Sequence, residues 1–333
     1  MSEGKLLKVS NLSVHYHTVE GVLKALRNVS LEVDTGDSLC VVGESGSGKS
    51  TLGLAISLSL PKNAVVASGT ILYKGKDLLK LTPAEARKYR GREISMIFQD
   101  PATTFNPLFT VGEHLTDILR YHFSMSKEEA VSRAVELLKM VQLPDQLRIL
   151  RAYPHELSGG MLQRVAIAAA LSTNPKILIA DEPASALDVS VQAQILNLLA
   201  ELKEKLRLTY LLVTHDLSVV KYMSDYVAVM YLGKIMEVGT ADEIFNEPRH
   251  PYTLALLSSV PELNPYVRKQ RKRVLLSGEP PSPTKPPSGC RLSNRCPYAT
   301  IECITKEPEL VKLTETHYVR CVRQESLSSL INA

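Results

Sequence analysis

The chain has 333 residues, with 39 Lys and Arg against 35 Asp and Glu and a net charge of +4, too small an excess to argue for nucleic acid by itself. With 44% apolar and 22% charged residues, the composition can bury a core without disulfides and excludes a disordered chain. The N-terminal MSEGKLLKVSNLSV lacks the apolar stretch of a signal peptide, and no run approaches the roughly 20 apolar residues of a membrane helix. If this protein serves a membrane, the expectation is that it docks on one rather than crosses it.

In chain order, residues 5–16 and 28–33 alternate and carry β-branched residues, which predicts strands. SLCVV at 38–42 is a short apolar run suited to a buried strand, followed by a glycine-rich loop from Gly43 to Gly48 and a helix from about Lys49 to Leu58. Residues 69–73 and 94–98 also read as strands. From about Val111 to Gln142 apolar residues recur at intervals of three and four, the mark of amphipathic helices. A helix is expected over Ser158 to Leu171, a buried strand over 177–181, then a helix at 191–206 and strands at 210–214 and 226–231. Strands alternating with helices imply a mostly parallel sheet with helices packed on it. The strandless block at about 100–152 reads as a helical subdomain inserted into that sheet. After about Val260 the composition changes. A basic run (Arg268, Lys269, Arg271, Lys272, Arg273) precedes GEPPSPTKPPSG, whose prolines favour extended chain. The basic run reads as a solvated face, with contact to lipid headgroups as the alternative. The expected division is a nucleotide-binding domain at 1–260 and a C-terminal extension at 261–333, a proline-rich linker leading to a cysteine-bearing segment.

GESGSGKS, Gly43 to Ser50, matches G-x-x-x-x-G-K-[ST] in full. Glycines let the backbone approach a phosphate with no Cβ in the way, and consecutive N–H groups at a helix N-terminus form an anion nest. Gly43, Glu44, Ser45, Gly46, Ser47, Gly48, Lys49, Ser50 and Thr51 are therefore candidate ATP-binding residues. Lys49 supplies charge for the β- and γ-phosphates, and Ser50 a hydroxyl for Mg2+. ILIADEP, Ile177 to Pro183, is an apolar strand ending in two carboxylates. Asp181 is the candidate to reach magnesium, directly or through water, and Glu182 the candidate general base that polarises the attacking water.

LSGGM, Leu157 to Met161, followed by LQRVAIAAAL, resembles the signature motif of ABC ATPases. Ser158 can cap the helix, while Gly159 and Gly160 expose N–H groups at its positive end. The resemblance implies that this motif closes over ATP held by a partner subunit. It also implies roles for further positions: Gln99 in MIFQDP as the glutamine that senses magnesium and water, Ser185 to Asp188 (SALD) as the loop coupling two active sites, and His215 in LLVTHDL as the switch histidine at the γ-phosphate. Tyr16 in SVHYHT sits where the family places a ring on adenine; a strand-edge tyrosine is the plainer reading. The chain departs from the family at PASALDV, where threonines are usual and Ala184 removes a hydroxyl. The implied fold class is α/β: a P-loop NTPase core of ABC ATPase type, with an inserted helical subdomain, an antiparallel β portion near the N-terminus and a small cysteine-rich C-terminal extension.

FQDPATTFNP, YPHELSGGMLQRVAIA, HPYTLALLSSVP and GEPPSPTKPPSGCRLSNRCPYA are similar to the oligopeptide/dipeptide importer subgroup, which includes nickel and other small-solute importers. The resemblance implies an ATPase that powers peptide import. Its implied partners are a second ABC ATPase subunit (a different chain, or a second copy), two transmembrane permease subunits and, indirectly, an extracytoplasmic solute-binding protein. The implied place is peripheral, on the cytoplasmic face of the membrane, with no nucleic acid bound. A soluble ABC ATPase acting on DNA or ribosomes is the reading from another class. Against it, the chain has one cassette and neither a long coiled-coil insertion nor a zinc module within the cassette.

Cys290, Cys296, Cys303 and Cys321 have the spacing C-x5-C-x6-C-x17-C. Four thiolates suit zinc or an iron–sulfur cluster, and neither short gap is the usual C-x2–4-C pair of structural zinc. The subgroup resemblance implies a [4Fe–4S] cluster on these four, with zinc, or unligated or disulfide-forming cysteines, as alternatives. His317, four residues before Cys321, could replace a ligand but reads rather as exposed, and Cys40 reads as a small buried apolar residue.

Overall fold

The computed structural model describes residues 5–19, 21–259 and 274–324; the basic run at 268–273 lies outside the described residues. The elements run β1 (Leu7–Thr18), β2 (Gly21–Val33), β3 (Ser38–Val42), α1 (Lys49–Ile56), β4 (Ala64–Tyr73), β5 (Lys76–Asp77), α2 (Pro83–Ala86), β6 (Ile94–Ile97), α3 (Pro101–Thr104), α4 (Val111–Phe123), α5 (Lys127–Met140) and α6 (Gln146–Arg151). They continue with α7 (Gly159–Leu171), β7 (Ile177–Asp181), α8 (Val189–Leu206), β8 (Thr209–Thr214), α9 (Leu217–Met223), β9 (Tyr226–Tyr231), β10 (Lys234–Thr240), α10 (Ala241–Asn246), α11 (Pro251–Ser259), β11 (Val311–Lys312) and β12 (Tyr318–Val319). Two compact units form. One comprises residues 1–52, 60–79 and 214–333; the other comprises 53–59 and 80–213.

In the first unit, β2, β1, β4 and β5 make an antiparallel sheet in that order. This is the antiparallel portion expected near the N-terminus. β2 begins at Gly21, well before residue 28; its first half, GVLKALR, is largely exposed or half-buried and does not show the inside–outside alternation of the second half. β3 is buried along its whole length and pairs in parallel with β9, Cys40 opposite Val227. β9 turns straight back into β10 as an antiparallel hairpin, through Leu232 and Gly233, both at positive φ (+43° and +78°). Two positive φ values in a two-residue loop match the right-handed twist of the flanking strands. The unit is thus less parallel than the strand–helix alternation implied. The segment beyond residue 260 also joins it: β12 pairs with β10, Glu237 opposite Val319, and β11 pairs with β12.

In the second unit, β6, β7 and β8 are parallel, with Ile179 between Met96 and Leu211. β7 is buried throughout, as its unbroken apolar sequence requires. The helical block follows the predicted period. α4 buries Val111, Leu115 and Leu119, and α5 buries Ala130, Ala134, Leu137 and Leu138. Both begin with reciprocal capping boxes, Thr110 with Glu113 and Ser126 with Glu129, which satisfy N-terminal donors that packing leaves open. Such a cap is typically worth about 1 kcal/mol. No described helix is long and apolar enough to cross a membrane.

Candidate functional site

β3 delivers the chain into the phosphate loop, and packing explains two of its glycines. A β-carbon on Gly43 would collide with the carbonyl of Met230. One on Gly48, at φ +102°, would stand 2.5 Å from the Ala25 carbonyl oxygen. Lys49 opens α1, is 5% exposed, and donates from Nζ to the carbonyls of Gly43 at 2.8 Å and Glu44 at 3.0 Å. A buried ammonium held by the carbonyls of its own loop is poised to exchange them for stronger anionic acceptors. Ser47 is buried and its hydroxyl has no hydrogen-bond partner, an orphaned polar atom within the cradle. Ser45, Gly46 and Ser50 are exposed. Tyr16 is half-buried on β1 and its hydroxyl lies 3.2 Å from Thr51 Oγ1, which fixes the ring beside the start of α1. His215 belongs to the same unit, exposed between β8 and α9, one residue before Asp216, whose carboxylate caps α9 through the Ser218 amide at 2.8 Å.

The second unit assembles the other predicted residues. Asp181, 6% exposed, ends β7 opposite Val213 of β8. Glu182 follows at φ +46°, a left-handed conformation costly for a residue with a side chain, and its amide donates to the Val213 carbonyl at 2.8 Å. Its Oε2 accepts from Gln99 Nε2 at 2.9 Å. Ala184 is buried, so the side chain that departs from the family pattern leaves no unsatisfied hydroxyl. In the SALD stretch, Ser185 donates to the Glu182 carbonyl at 3.2 Å, and Asp188 caps α8 by accepting from the Val191 amide at 3.0 Å. That amide, and then the Ser190 hydroxyl, hold the Asp188 carboxyl below its ordinary range. Ser158 caps α7 through the Met161 amide at 3.4 Å, and Gly159 and Gly160 form its first turn.

All five cysteines are free. Cys40 is fully buried on β3, and burial pushes its thiol up to about 12. Cys290, Cys296, Cys303 and Cys321 line one pocket of the first unit, together with Leu292 and Tyr298. Burial pushes Cys290 up to about 11 and Cys321 up to about 12, and charge on the neighbouring thiols adds to both shifts. Among the described residues, no group of three or more His, Cys, Asp or Glu is placed to hold a metal ion. His317 is not exposed: it is 2% accessible, with Nε2 2.8 Å from Oε1 of the fully buried Glu237. The sequence reading failed there because the partner lies 80 residues away on β10.

Two residues that were given no role in the sequence, Tyr252 and Arg295, also reach the phosphate loop. Tyr252 accepts the Glu44 amide at 2.8 Å, and Arg295 donates to the Glu44 carboxylate and to the Tyr231 hydroxyl.

A profile of the ABC transporter family matches residues 26–185, and one of the oligopeptide/dipeptide transporter C-terminal region matches residues 236–303. The oligopeptide transport ATP-binding protein OppD of Bacillus subtilis is 46% identical over 317 residues, 95% of this chain and 88% of the relative. The chain belongs to the ABC transporter ATP-binding proteins. The dipeptide transport ATP-binding protein DppD of Lactococcus lactis is 44% identical across 96% of this chain and 91% of its own. Among solved structures, a dimeric post-hydrolysis state of the ATP-binding cassette MJ0796 with ADP and Pi matches at 33% identity and a TM-score of 0.64. It covers 71% of this chain and 98% of its own. The fold of this family member is therefore the ABC cassette, an α/β structure with mixed sheets.

Proposed function

We propose that this chain is the ATP-hydrolysing subunit that powers peptide import through an ABC membrane transporter. The observation that carries the reading is the union in one chain of a complete phosphate loop and carboxylate pair with an oligopeptide/dipeptide C-terminal region. The cradle fits a polyphosphate: glycines where a Cβ would collide, a buried Lys49 resting on carbonyls, and the orphaned Ser47 hydroxyl. Lys49 and the loop amides bind the β- and γ-phosphates, and Tyr16 stacks on the adenine. Ser50, Gln99 and Asp181 would hold Mg2+, which neutralises charge developing on the phosphates. Glu182 orients water and takes its proton, Gln99 steadies the Glu182 carboxylate, and His215 contacts the γ-phosphate. Ser158, Gly159 and Gly160 present amides to ATP held by a second ATPase subunit. The nucleotide's negative charge then draws two subunits together, and loss of the γ-phosphate releases them. The subunit works peripherally at the cytoplasmic face, beneath two permease subunits fed by a solute-binding protein.

The four-cysteine pocket is the place for a [4Fe–4S] cluster on Cys290, Cys296, Cys303 and Cys321. Convergence of four thiols on one pocket supports this. Zinc held by the same thiolates is the alternative. A cluster supplies four thiolate-binding irons and would cross-link a segment with little core of its own.

Affinity purification from native membranes, with identification of the co-purifying chains, tests the transport reading. Permeases, a second ATPase and a peptide-binding protein are expected. A nickel-binding protein in place of the peptide-binding one would overturn the solute, and recovery with ribosomes or DNA would overturn transport itself. Analysis of anaerobically purified protein should give about four iron and four sulfide per chain, lost in Cys296→Ser; one zinc per chain without sulfide would replace the cluster.

A further inference from the structure

We infer that Arg295, carried by the cysteine segment, is a positioning residue of the phosphate loop, acting through Glu44. Nη1 lies 2.8 Å from Glu44 Oε2 and Nη2 3.2 Å from Oε1, a bidentate pair spanning 251 residues of sequence. Nη1 also donates to the Tyr231 hydroxyl at 3.2 Å, and the guanidinium lies over the Tyr231 ring. The Arg295 side chain is 9% exposed and that of Glu44 30%, so this pair is shielded well beyond an ordinary surface ion pair.

Glu44 is the second residue of the phosphate loop, and all its polar groups are engaged. Its amide donates to Tyr252, its carbonyl accepts Lys49 Nζ, and its carboxylate takes Arg295. Tyr231 and Tyr252 are themselves in ring contact, with centroids 4.7 Å apart, which backs the whole arrangement with a packed wall. A carboxylate at this point of a loop that receives a polyanion would repel it. Arg295 cancels that charge and holds the side chain in one place, and the two-pronged geometry requires a guanidinium rather than an ammonium.

The turn that carries Arg295 is equally fixed. The amides of Arg295 and Cys296 both donate to the Leu292 carbonyl at 2.8 Å, and the Cys290 amide donates to the Cys303 carbonyl at 2.7 Å. The turn that offers Cys290 and Cys296 to their pocket is thus the one that delivers Arg295 to the loop. Nucleotide affinity depends on that turn.

The inference rests on the ATPase reading, and the experiment separates the two. MgADP binding to the full chain is measured calorimetrically for the wild type, Arg295→Gln, Arg295→Lys, Glu44→Gln and the Arg295→Gln/Glu44→Gln double variant. Arg295→Gln is expected to weaken binding about tenfold, and Arg295→Lys by less, as one prong of a charged pair is kept. The double variant should bind within about threefold of Glu44→Gln alone, because the residue that Arg295 neutralises is then already neutral. Losses that add across the cycle would show general packing and overturn the role, as would a folded Arg295→Gln that binds within about twofold of the wild type. Should Arg295→Gln not fold, Arg295→Lys with and without Glu44→Gln carries the same cycle. A wild type that binds no MgADP would instead sink the ATPase reading.

Discussion

Gly160 packs so closely on Val191 that a β-carbon added to it would stand 2.6 Å from Val191 Cγ1. The second glycine of LSGGM is thereby tied to the first turn of α8, the helix that Asp188 caps. Gly159 is placed similarly, with a β-carbon 3.2 Å from Leu187 Cδ2. A bare backbone here serves packing within the unit as well as any anion the α7 N-terminus receives.

Gly160→Ala should therefore destabilise the protein by about 1–3 kcal/mol, the range for forcing a methyl into a filled space. Val191→Ala opens that space, and the double variant should recover most of the loss of melting temperature. ATPase activity separates the two roles. If it recovers with stability, packing accounts for the glycine; if it stays low in a restored fold, the amide surface of α7 requires a bare Cα.

Glu182→Gln keeps a group that can stay in hydrogen-bonding reach of Gln99 while removing the base. Turnover should fall by roughly 10²–10⁴, the usual contribution of a general base, with MgATP binding retained. Single-turnover hydrolysis and equilibrium binding, measured on one preparation, check this. Retained turnover would reject Glu182 as the base.

What the sequence made legible was local. The apolar run before Gly43, the helix after it and the unbroken strand ending at Asp181 were readable because each motif is contiguous and its elements short. The bracing of the loop was not readable. Glu44 meets Tyr252 across 208 residues and Arg295 across 251, and no periodicity or spacing reports such contacts. β10 escaped notice because KIMEVGT buries Lys234 and Glu237, and inward-facing charges erase the alternation that marks a strand. Lys234 is matched by Glu307 at 2.5 Å and Glu237 by His317, partners supplied by the segment after residue 260. Together with the Arg249 and His250 amides, which also donate to the Glu237 carboxylate, that distant segment makes the strand's polar residues tolerable inside.

Tyr16 offers a graded test of adenine stacking. Tyr16→Phe loses the hydroxyl contact with Thr51 but keeps the ring, and nucleotide affinity should change only a few-fold. Tyr16→Ala removes the ring and should cost about 1–3 kcal/mol, the range for stacking a base on an aromatic side chain. Titration with ATP and with inorganic triphosphate distinguishes stacking from loop damage. Weaker ATP binding with unchanged triphosphate binding supports the stack, whereas equal losses for both would place the effect in the loop.

His250 gives the protein a pH-dependent weakness. Its side chain is 1% exposed and Nδ1 accepts the Tyr252 amide at 3.0 Å, a bond only the ring's unprotonated nitrogen can make. Burial drives its pKa down to about 3; the charge of Arg320 also lowers it, and a hydrogen bond to the Arg320 backbone pulls partly the other way. The unfolded chain binds the proton near 6.5, so between about 6.5 and about 3 the unfolded state holds more protons and stability is lost as the pH is lowered. Above 6.5 both states are neutral and the effect vanishes. Between pH 7 and pH 5 the loss from this residue should be about 2 kcal/mol, read as a drop of several degrees in melting temperature. His250→Asn, whose carbonyl oxygen can accept the same amide, should flatten that part of the pH profile even if it lowers stability at pH 7. An unchanged slope in the variant would show that another group carries the acid sensitivity.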